Sequence, residues 1–417
     1  MKFPSLDRQK EIYLNGFAGT PPSVPVSASA LEDVAKKNMS PQAYAYIAGG
    51  AGNESTLRDN RAAFEKYKIV PRMLRDVSAR DISIDLFGQK LSSPLLLAPI
   101  GVLEMAHSEA DLAVGKAAAS LGIPYIFSNQ ASKPMETVAS AMGNSPHWFQ
   151  LYWSKSNELV KSFVQRAEKC GCSAIVVTLD TTVLGWRTRD LDMAYLPFLE
   201  GKGIAQYTSD PVFQKLMDEP EPQAKRKITM QSVRGLVEMV NNYPGGNFFS
   251  KLKSGKPIKA VQKFVSIYSN PALTWEDLKF LKTATKLPIL LKGILHADDA
   301  RKAIDHGMNG IIVSNHGGRQ VDGSISTLEA LPAIVEVVQG KIPVLMDSGI
   351  RGGADIFKAL ALGANAVCLG RPYVYGLAIA GEQGVKEVLQ NTLTDFELTM
   401  ALAGCATISE ITRAALA

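Results

Sequence analysis

The stretch that decides the fold is residues 310–347, GIIVSNHGGRQVDGSISTLEALPAIVEVVQGKIPVLMD. Its two ends, Gly310–Ser314 and Pro343–Asp347, are short apolar runs, and between them Leu328–Val338 has the apolar spacing of a helix. Continuous apolar runs of this length are typical of strands buried on both faces of a sheet. The stretch therefore predicts a strand, a helix and a second strand parallel to the first.

The same unit recurs along most of the chain after residue 94. Eight runs are predicted as strands: Pro94–Gly101, Ile123–Ser128, His147–Tyr152, Ala174–Leu179, Pro288–Lys292, Gly310–Ser314, Pro343–Asp347 and Asn365–Leu369. Most of the gaps carry a helical pattern, as at Glu109–Leu121 and Asn157–Cys170. Eight alternations favour an α/β fold with a closed parallel (β/α)8 barrel, the TIM barrel. A doubly wound open sheet is the alternative.

Two segments do not follow this alternation of strands and helices. Residues 1–26 are polar and end in a proline-rich stretch, so we expect an N-terminal arm, then helices at Ala30–Lys37 and Gln42–Ala48, in a single barrel domain covering 27–417. After the fourth strand, residues 195–263 form a loop insertion. A loop this long is typical of an active-site lid or an interface. The alternatives are a solvated subunit contact and, for AKRKITM at 224–230, a membrane-surface patch.

Composition narrows the classes of function. The 45 Lys and Arg against 40 Asp and Glu leave a net charge of +5, too small and too mixed to indicate a nucleic-acid partner. The four cysteines form no CxxC pair and no metal-ligand spacing, so we expect free thiols in a reducing compartment and no metal. Because there is no apolar leader and no run of about 18 apolar residues, we expect a cytoplasmic chain without a membrane partner.

Nearly every predicted strand ends in a glycine or a polar residue. In parallel barrels the carboxyl ends of the strands converge on one mouth, which carries the active site. The residues that this rule selects are Gly101, Ser128, Gln150, Tyr152, Thr178, Asp180, Lys292, Ser314, His316, Asp347, Gly370 and Arg371. We expect them to surround a single site.

The turns after the seventh and eighth strands have the composition of phosphate-binding loops. Residues Asp347–Gly353 are DSGIRGG and Leu369–Pro372 are LGRP. Their glycines let backbone N–H groups approach a phosphate, and Arg351 and Arg371 add charge-assisted donors. The phosphate could belong to a substrate or to a cofactor, and the alternative is a pair of surface turns. No GxGxxG turn opens a strand–helix–strand unit.

His316, in SNHGGRQ, is the candidate general base. It follows a buried strand, and Arg319 comes three residues later, so a base and an anion-binding group would be neighbours. This pair suits proton abstraction from a substrate that carries a carboxylate. Asp180 could orient His316 and Arg187 could be a second carboxylate donor, with surface ion pairs as the alternative for both. Lys292 lies in the apolar string LLLKGI and therefore needs an anionic partner.

Together these motifs resemble the FMN-dependent 2-hydroxy-acid oxidase and dehydrogenase family over about residues 28–400. The matching strings, in the family's order, are APIG, FQLYW, TLDTTVLGWRTRDL, LLKGI, SNHGGRQ, DSGIRGGADIFKALALGA and LGRPYVYG. SNHGGRQ is similar to the family's active-site signature and is the most specific of them. The resemblance implies FMN as cofactor and the oxidation of a short L-2-hydroxy acid.

The resemblance also implies roles for individual residues. The catalytic pair would be His316 and Asp180. The residues expected to bind substrate are Tyr46, Tyr152, Arg187, His316 and Arg319. Those expected to bind FMN are Pro99, Ile100, Gly101, Ser128, Gln150, Thr178, Lys292, Ser314, Asp347, Ser348, Gly349, Ile350, Arg351, Gly370 and Arg371. Among these, Lys292 would stabilise the reduced flavin and Arg351 and Arg371 would bind the phosphate.

Within the family, the long fourth loop and the strings GWRTRDL, YTSDPVF and LTWEDL are most similar to lactate 2-monooxygenases, and Gly101 stands where lactate oxidases typically have alanine. The expected reaction converts L-lactate and O2 into acetate, CO2 and water. The alternatives are an oxidase that releases a 2-oxo acid and H2O2, a dehydrogenase that uses a quinone or another acceptor, an FMN-dependent isomerase and a non-catalytic flavin protein. The resemblance also implies a homo-oligomer, a tetramer or an octamer.

Overall fold

The computed structural model describes residues 5–220 and 229–417. Its strands are β1 Ile84–Leu86, β2 Gln89–Leu91, β3 Leu95–Leu97, β4 Tyr125–Phe127, β5 His147–Tyr152, β6 Ile175–Thr178, β7 Ile289–Ile294, β8 Gly310–Val313, β9 Val344–Met346 and β10 Ala366–Leu369. Strands β3 to β10 form a closed parallel barrel in which β10 pairs with β3. The predicted (β/α)8 barrel is confirmed, and the open sheet is excluded.

The barrel strands are mostly apolar because both of their faces are buried. One face packs inside the barrel, where Leu96, Ile126 and Trp148 belong to a compact interior cluster. The other face packs against the surrounding helices, as Leu95 and Leu97 do in the larger outer cluster. This two-sided burial is the physical reason why the strands read as unbroken apolar runs rather than as alternating patterns.

The hairpin of β1 and β2 closes the amino-terminal end of the barrel and was not predicted. Leu86 and Leu91 join the interior cluster, and the ring of Phe87 lies 5.7 Å from that of Trp148. The turn consists of Phe87 and Gly88, both with positive φ. A phenylalanine at such a position lacks the Asn-Gly or Asp-Gly signal that identifies short hairpins in a sequence.

Eighteen α-helices are described. They are α1 Ser5–Phe17, α2 Ala28–Asn38, α3 Pro41–Ala48, α4 Ser55–Glu65, α5 Ala110–Leu121, α6 Met135–Met142, α7 Asn157–Lys169, α8 Thr188–Asp192, α9 Ala205–Thr208, α10 Pro211–Leu216, α11 Met230–Asn242, α12 Phe248–Ser254, α13 Lys256–Ile267, α14 Leu278–Ala284, α15 Ala297–Asp305, α16 Thr327–Val338, α17 Gly353–Ala361 and α18 Arg371–Leu402. The two predicted N-terminal helices are present as α2 and α3. Ser40 caps α3 by accepting a hydrogen bond from the Ala43 N–H, 3.2 Å away.

The N-terminal segment is more ordered than an arm of polar residues suggests. Helix α1 packs against α18, where Arg8 Nε donates to Asn391 Oδ1 at 3.1 Å and the Ser23 N–H donates to Glu387 at 3.0 Å. The boundary at residue 26 stays a prediction.

The insertion at 195–263 is largely helical rather than an open loop. It contains α9 to α12 and most of α13. Its aromatic side chains pack together with Phe264, which follows it: the Tyr207 ring lies 4.8 Å from Phe264 and 5.4 Å from Phe213, both edge to face. Most of AKRKITM, residues 224–228, lies outside the described residues. Among the residues that are described, no helix is long and apolar enough to cross a membrane.

Candidate active site

A cavity of about 1040 Å³, partly open to solvent, lies at the carboxyl ends of the barrel strands. Most of the predicted site residues line it: Tyr46, Pro99, Ile100, Gly101, Tyr152, Arg187, Lys292, His316, Arg319, Asp347, Ser348, Gly349, Ile350, Arg351, Gly370 and Arg371. Residues at or near the carboxyl ends of all eight barrel strands, together with residues of α3, therefore line one cavity, as expected for a parallel barrel.

Five predicted residues lie behind the cavity wall. Asp180 is behind His316, and Ser128, Gln150, Thr178 and Ser314 are buried at the strand ends. The amide oxygen of Gln150 accepts hydrogen bonds from the Ser128 hydroxyl at 3.4 Å and from the Asn129 N–H at 3.1 Å. Gln150 Nε2 and Thr178 Oγ1 are buried and have no hydrogen-bond partner within the described part of the chain. Buried polar groups in folded proteins are normally hydrogen-bonded, and these two lie just behind the cavity wall.

Hydrogen bonds hold the His316 imidazole in an orientation in which it can act as a base. Its Nδ1 lies 2.8 Å from Asp180 Oδ1 and 3.2 Å from the hydroxyl of Thr181, which itself donates to Asp180 Oδ1 at 3.0 Å. Burial lowers the pKa of His316, and the Asp180 carboxylate opposes this only in part. The imidazole is therefore neutral near pH 7 and, with Nδ1 engaged, presents Nε2 as the proton acceptor.

Lys292 joins the carboxylates at the bottom of the site. Its Nζ donates to Ser314 Oγ at 2.8 Å and lies 3.3 Å from Asp347 Oδ2 and 3.8 Å from Asp180 Oδ2. Burial alone would lower the pKa of Lys292. The nearby carboxylates of Asp347 and Asp180 have the larger effect, and the pKa of the lysine is raised. Burial also acts against the charge of Asp180, yet Lys292 and His316 hold its pKa well below the ordinary value. Lys292 and Asp180 therefore both stay charged at neutral pH.

Two further arginines, Arg319 and Arg187, face the cavity. Arg319 donates to the carbonyl oxygens of Tyr46 and, at 2.9 Å, of Gly49, and its guanidinium lies 5.0 Å from the centre of the Tyr46 ring. Arg187 donates to Gln320 Oε1 at 3.0 Å. Burial and the neighbouring Arg187 lower the pKa of Arg319 to about 9. Neither cation forms an ion pair with a carboxylate in the described residues, so a bound anion would relieve their mutual repulsion.

The turns after β9 and β10 hold a second pair of cations. Arg371 donates to the carbonyl oxygens of Ile47 and Gly317 at 3.0 Å and of Gly49 at 2.9 Å, at the N-terminus of α18. Burial and the adjacent Arg371 lower the pKa of Arg351 to about 10. In residues 5–220 and 229–417 neither arginine has a carboxylate within ion-pair distance. Two cations of the cavity wall beside glycine-rich turns and a helix N-terminus are groups that can bind a phosphate.

Gly101 is required by the packing of two loops. A Cβ at this position would lie 2.9 Å from both Cβ and the carbonyl oxygen of Gln130, whose side chain lines the cavity. At this position lactate oxidases typically have alanine, one methyl group larger. The structure shows that an added methyl group would press first on the backbone after β4.

Several residues at the site escaped the sequence analysis. Thr181, Gln130, Leu184, Phe198 and Tyr268 all line the cavity. Phe198 and Tyr268 come from the insertion and its end, and both pack on Phe264 with ring centres 5.0 and 5.1 Å apart. No local pattern identifies them, although the position of Thr181 directly after Asp180 was a usable signal.

The insertion also reaches the site through Asn129. Asn129 Oδ1 accepts hydrogen bonds from the Tyr207 hydroxyl at 3.0 Å and from the Tyr152 N–H at 3.3 Å. The buried Tyr207 therefore contributes to the placement of Tyr152, which lines the cavity. Burial raises the pKa of the Tyr152 hydroxyl, so that group stays a hydrogen-bond donor.

Comparison with known proteins gives a consistent result. The family model described as FMN-dependent dehydrogenase matches residues 35–417. An L-lactate oxidase from Lysinibacillus sphaericus is 44% identical over 384 residues, covering 92% of this chain and 90% of the relative. An FMN-dependent alpha-hydroxy acid dehydrogenase from Penicillium citrinum is 41% identical over 406 residues, or 97% and 94% of the two chains.

A human protein and a solved structure extend the comparison. The human 2-hydroxyacid oxidase 1 is 40% identical over 381 residues, covering 91% of this chain and 93% of the relative. The crystal structure of mandelate oxidase is 34% identical and superposes with a TM-score of 0.76, covering 94% of this chain and 98% of that one.

Proposed function

Because this chain belongs to the family of FMN-dependent dehydrogenases, we propose that it oxidises a short L-2-hydroxy acid with FMN as cofactor and that L-lactate is its substrate. The observation that carries the proposal is a cavity in which a neutral, carboxylate-bound histidine faces two arginines that have no carboxylate within ion-pair distance among the described residues. A base beside an anion site is what proton abstraction from a 2-hydroxy acid requires.

The residues present fit FMN. The orphaned Gln150 Nε2 and Thr178 Oγ1 supply polar groups for the ring edge, and the buried Lys292 supplies a cation beside it. Arg351 and Arg371, with the turns after β9 and β10, supply a phosphate site. When bound, FMN accepts the two electrons that leave the substrate, while the protein provides orientation and charge.

The substrate would bind through its carboxylate. Arg187 and Arg319 provide the cations, and Tyr46 and Tyr152 provide hydroxyl donors in the same wall. Leu184, Phe198 and Tyr268 add apolar surface to this side of the cavity. A small aliphatic side chain such as the methyl group of lactate suits that surface.

Nε2 of His316 would then take the proton. Asp180 holds the ring through Nδ1 and stabilises the imidazolium that forms, because its carboxylate stays ionised. Whether the proton comes from the α-carbon or from the hydroxyl group depends on the pose of the substrate. The role of His316 as acceptor is the same in both.

We assign the product more finely: acetate, CO2 and water, formed when the 2-oxo acid is held while O2 reacts. Support comes from the insertion, which is anchored beside the site by hydrogen bonds from the Gly203 N–H to Glu104 at 2.8 Å and from the Tyr207 hydroxyl to Asn129 at 3.0 Å. It places Phe198 in the cavity wall. A wall of this kind slows the release of product.

An oxidase that releases pyruvate and H2O2 is the second candidate, since a relative with 44% identity is an L-lactate oxidase. Aerobic turnover of the yellow FMN-bound enzyme with L-lactate, with acetate, pyruvate and peroxide measured together, decides between them. Acetate with little peroxide supports the monooxygenase reaction. Pyruvate with stoichiometric peroxide establishes the oxidase, and no flavin reduction by lactate under anaerobic conditions would reject both.

We also propose that the chain forms a homo-oligomer, a tetramer or an octamer. Fully exposed apolar side chains such as Leu74 are available to a second copy. Light scattering that gives the mass of a monomer would contradict this.

A further inference from the structure

We propose that Asp322 is a positioning residue for substrate binding. It fastens the start of α4 to the loop that carries His316 and Arg319, and so holds the two walls of the carboxylate site together. This inference rests on the proposed function, because it takes Tyr46 and Arg319 as groups that bind the substrate. Asp322 itself does not line the cavity.

The Asp322 carboxylate caps a helix that lies more than 260 residues earlier in the chain. Its Oδ1 accepts from the Ser55 N–H at 2.7 Å, the Ser55 hydroxyl at 2.6 Å and the Thr56 N–H at 3.2 Å, and its Oδ2 accepts from the Asn53 N–H at 2.6 Å. The first N–H groups of a helix have no acceptor within the helix. An anion at this end is also favoured by the helix dipole.

The N-cap residue of α4 does not supply this cap itself. Glu54 occupies the N-cap position with a left-handed φ of 62°, and its side chain makes no capping bond. Its carboxylate instead accepts from the Gly50 N–H at 2.9 Å and from Arg189. The Ser55 hydroxyl and the three backbone N–H groups lower the pKa of Asp322 to about 2, so the cap is charged at any working pH.

The capped helix end continues directly into the active-site wall. Ala51 N–H donates to the Gly318 carbonyl at 2.9 Å, and Arg319 donates to the Gly49 carbonyl at 2.9 Å. Residues 49–56 therefore run along residues 318–322 and are held at both ends. The fit at Gly52 is tight, since a Cβ there would lie 2.5 Å from Asp322 Oδ2.

Loss of the carboxylate would leave four donors at the start of α4 without an acceptor. The turn between α3 and α4 would loosen, and with it the Tyr46 backbone that accepts from Arg319. The groups that bind the carboxylate would then be less well placed, while His316 would keep Asp180. We therefore expect weaker binding of carboxylates with little change in the chemical step.

The test compares FMN-bound wild type with Asp322→Ala, Asp322→Asn and the control Asp76→Ala. Asp76 accepts from the N–H and the hydroxyl of Ser78 at 3.0 and 2.6 Å, as Asp322 does from Ser55, but it lies outside the cavity wall. Binding of pyruvate is followed by the change in flavin absorbance, and KM and kcat are measured with L-lactate. Hydrogen exchange reports on the amides of residues 53–56.

We expect Asp322→Ala to raise the Kd for pyruvate and the KM for lactate about 3- to 30-fold, less than the loss of a direct charged hydrogen bond because Asp322 acts through other residues, with kcat within about twofold and faster exchange at 53–56. Asp322→Asn keeps one acceptor oxygen, so its values should lie between those of wild type and Asp322→Ala. Asp76→Ala should match wild type.

Unchanged Kd and KM in the Asp322 variants would overturn the inference, and so would a loss of kcat at constant Kd. If Asp322→Ala does not fold, Asp322→Asn carries the same test. Wild type that binds no pyruvate would reject the proposed function itself, which separates that failure from a failure of Asp322 alone.

Discussion

Nδ1 of His316 lies 2.8 Å from Oδ1 of Asp180, and His316 is held there in a left-handed backbone conformation with φ of 57°. A histidine adopts this conformation at a cost that its surroundings must offset. The 2.8 Å contact and the Thr181 hydroxyl at 3.2 Å provide the compensation. The strained backbone thus aims Nε2 into the cavity.

Replacing the base should abolish turnover while the cofactor stays bound. In His316→Gln the side chain keeps polar atoms but no group that accepts a proton near pH 7, so we expect kcat to fall by about 10²- to 10⁴-fold. Stopped-flow reduction of the flavin by L-lactate measures the step directly. Near-normal reduction by this variant would remove His316 from the mechanism.

Asp180→Asn should shift the pH profile as well as the rate. The Asp180 charge raises the pKa of His316 against burial, so its removal lowers that pKa further. The limb of kcat/KM that rises as His316 loses its proton should then move to lower pH, and the plateau should fall about 10²-fold or more because the imidazolium loses its partner. Asp298→Asn, in the exposed pair with His296, is the control. An unmoved limb would argue against the coupling.

Replacing either cavity arginine should weaken catalysis, but only the loss of Arg319 should also lower the melting temperature. Arg187→Met should lower kcat/KM for lactate by roughly 10- to 100-fold, as expected for one charged hydrogen bond. Arg319→Met should do the same and also lower the melting temperature, because Arg319 bridges the carbonyls of Tyr46 and Gly49. Arg301→Met, which removes an exposed ion pair, is the control for both. Unchanged kinetics in Arg187→Met would place that residue outside the site.

Lys292→Met should destabilise the protein even without cofactor. It leaves Asp347 and Asp180 buried without a cation, which costs about 3–5 kcal/mol when one partner of a buried pair is removed. Adding Asp347→Asn to the same chain removes one of the stranded charges. We expect the double variant to melt at a higher temperature than Lys292→Met alone, and the reverse order would contradict the charge argument.

Asp111 should make stability fall as the pH rises. Burial raises the pKa of this carboxyl to about 6, although the N–H groups of Ser132 and Lys133 and the Tyr125 hydroxyl bond to it. Its contribution is complete below the unfolded pKa near 3.8 and is lost as the pH rises through 6. The loss is on the order of 3 kcal/mol.

Asp111→Asn carries no charge, keeps one acceptor oxygen for the N–H groups of Ser132 and Lys133, and can donate its amide N–H to the Tyr125 hydroxyl oxygen. Urea unfolding of both proteins between pH 4 and 8 should show the wild type losing stability relative to the variant over this window. A constant difference between the two would show that Asp111 does not titrate there.

Much of the site could be predicted because its residues follow buried strands. Asp180, Lys292 and His316 each come at or just after an apolar run, and the closure of the barrel brings these strand ends together whatever the connecting helices contain. The same reasoning located Arg351 and Arg371. It could not select Thr181, Phe198 or Tyr268, which reach the cavity from turns and from the insertion.

The amino-acid sequence by itself determined the barrel, the helices between its strands and the end of the barrel that carries the chemistry. Strands buried on two faces and amphipathic helices produce patterns among residues that are close together in the sequence, so these features can be predicted from it. Only the tertiary structure decided which distant groups meet: the cap of Asp322 on α4, the link from Tyr207 through Asn129 to Tyr152, and the hairpin that closes the barrel. Each of these is a contact between atoms far apart along the chain. The distances between these atoms depend on how the whole chain packs, so no pattern among neighbouring residues predicts the contacts.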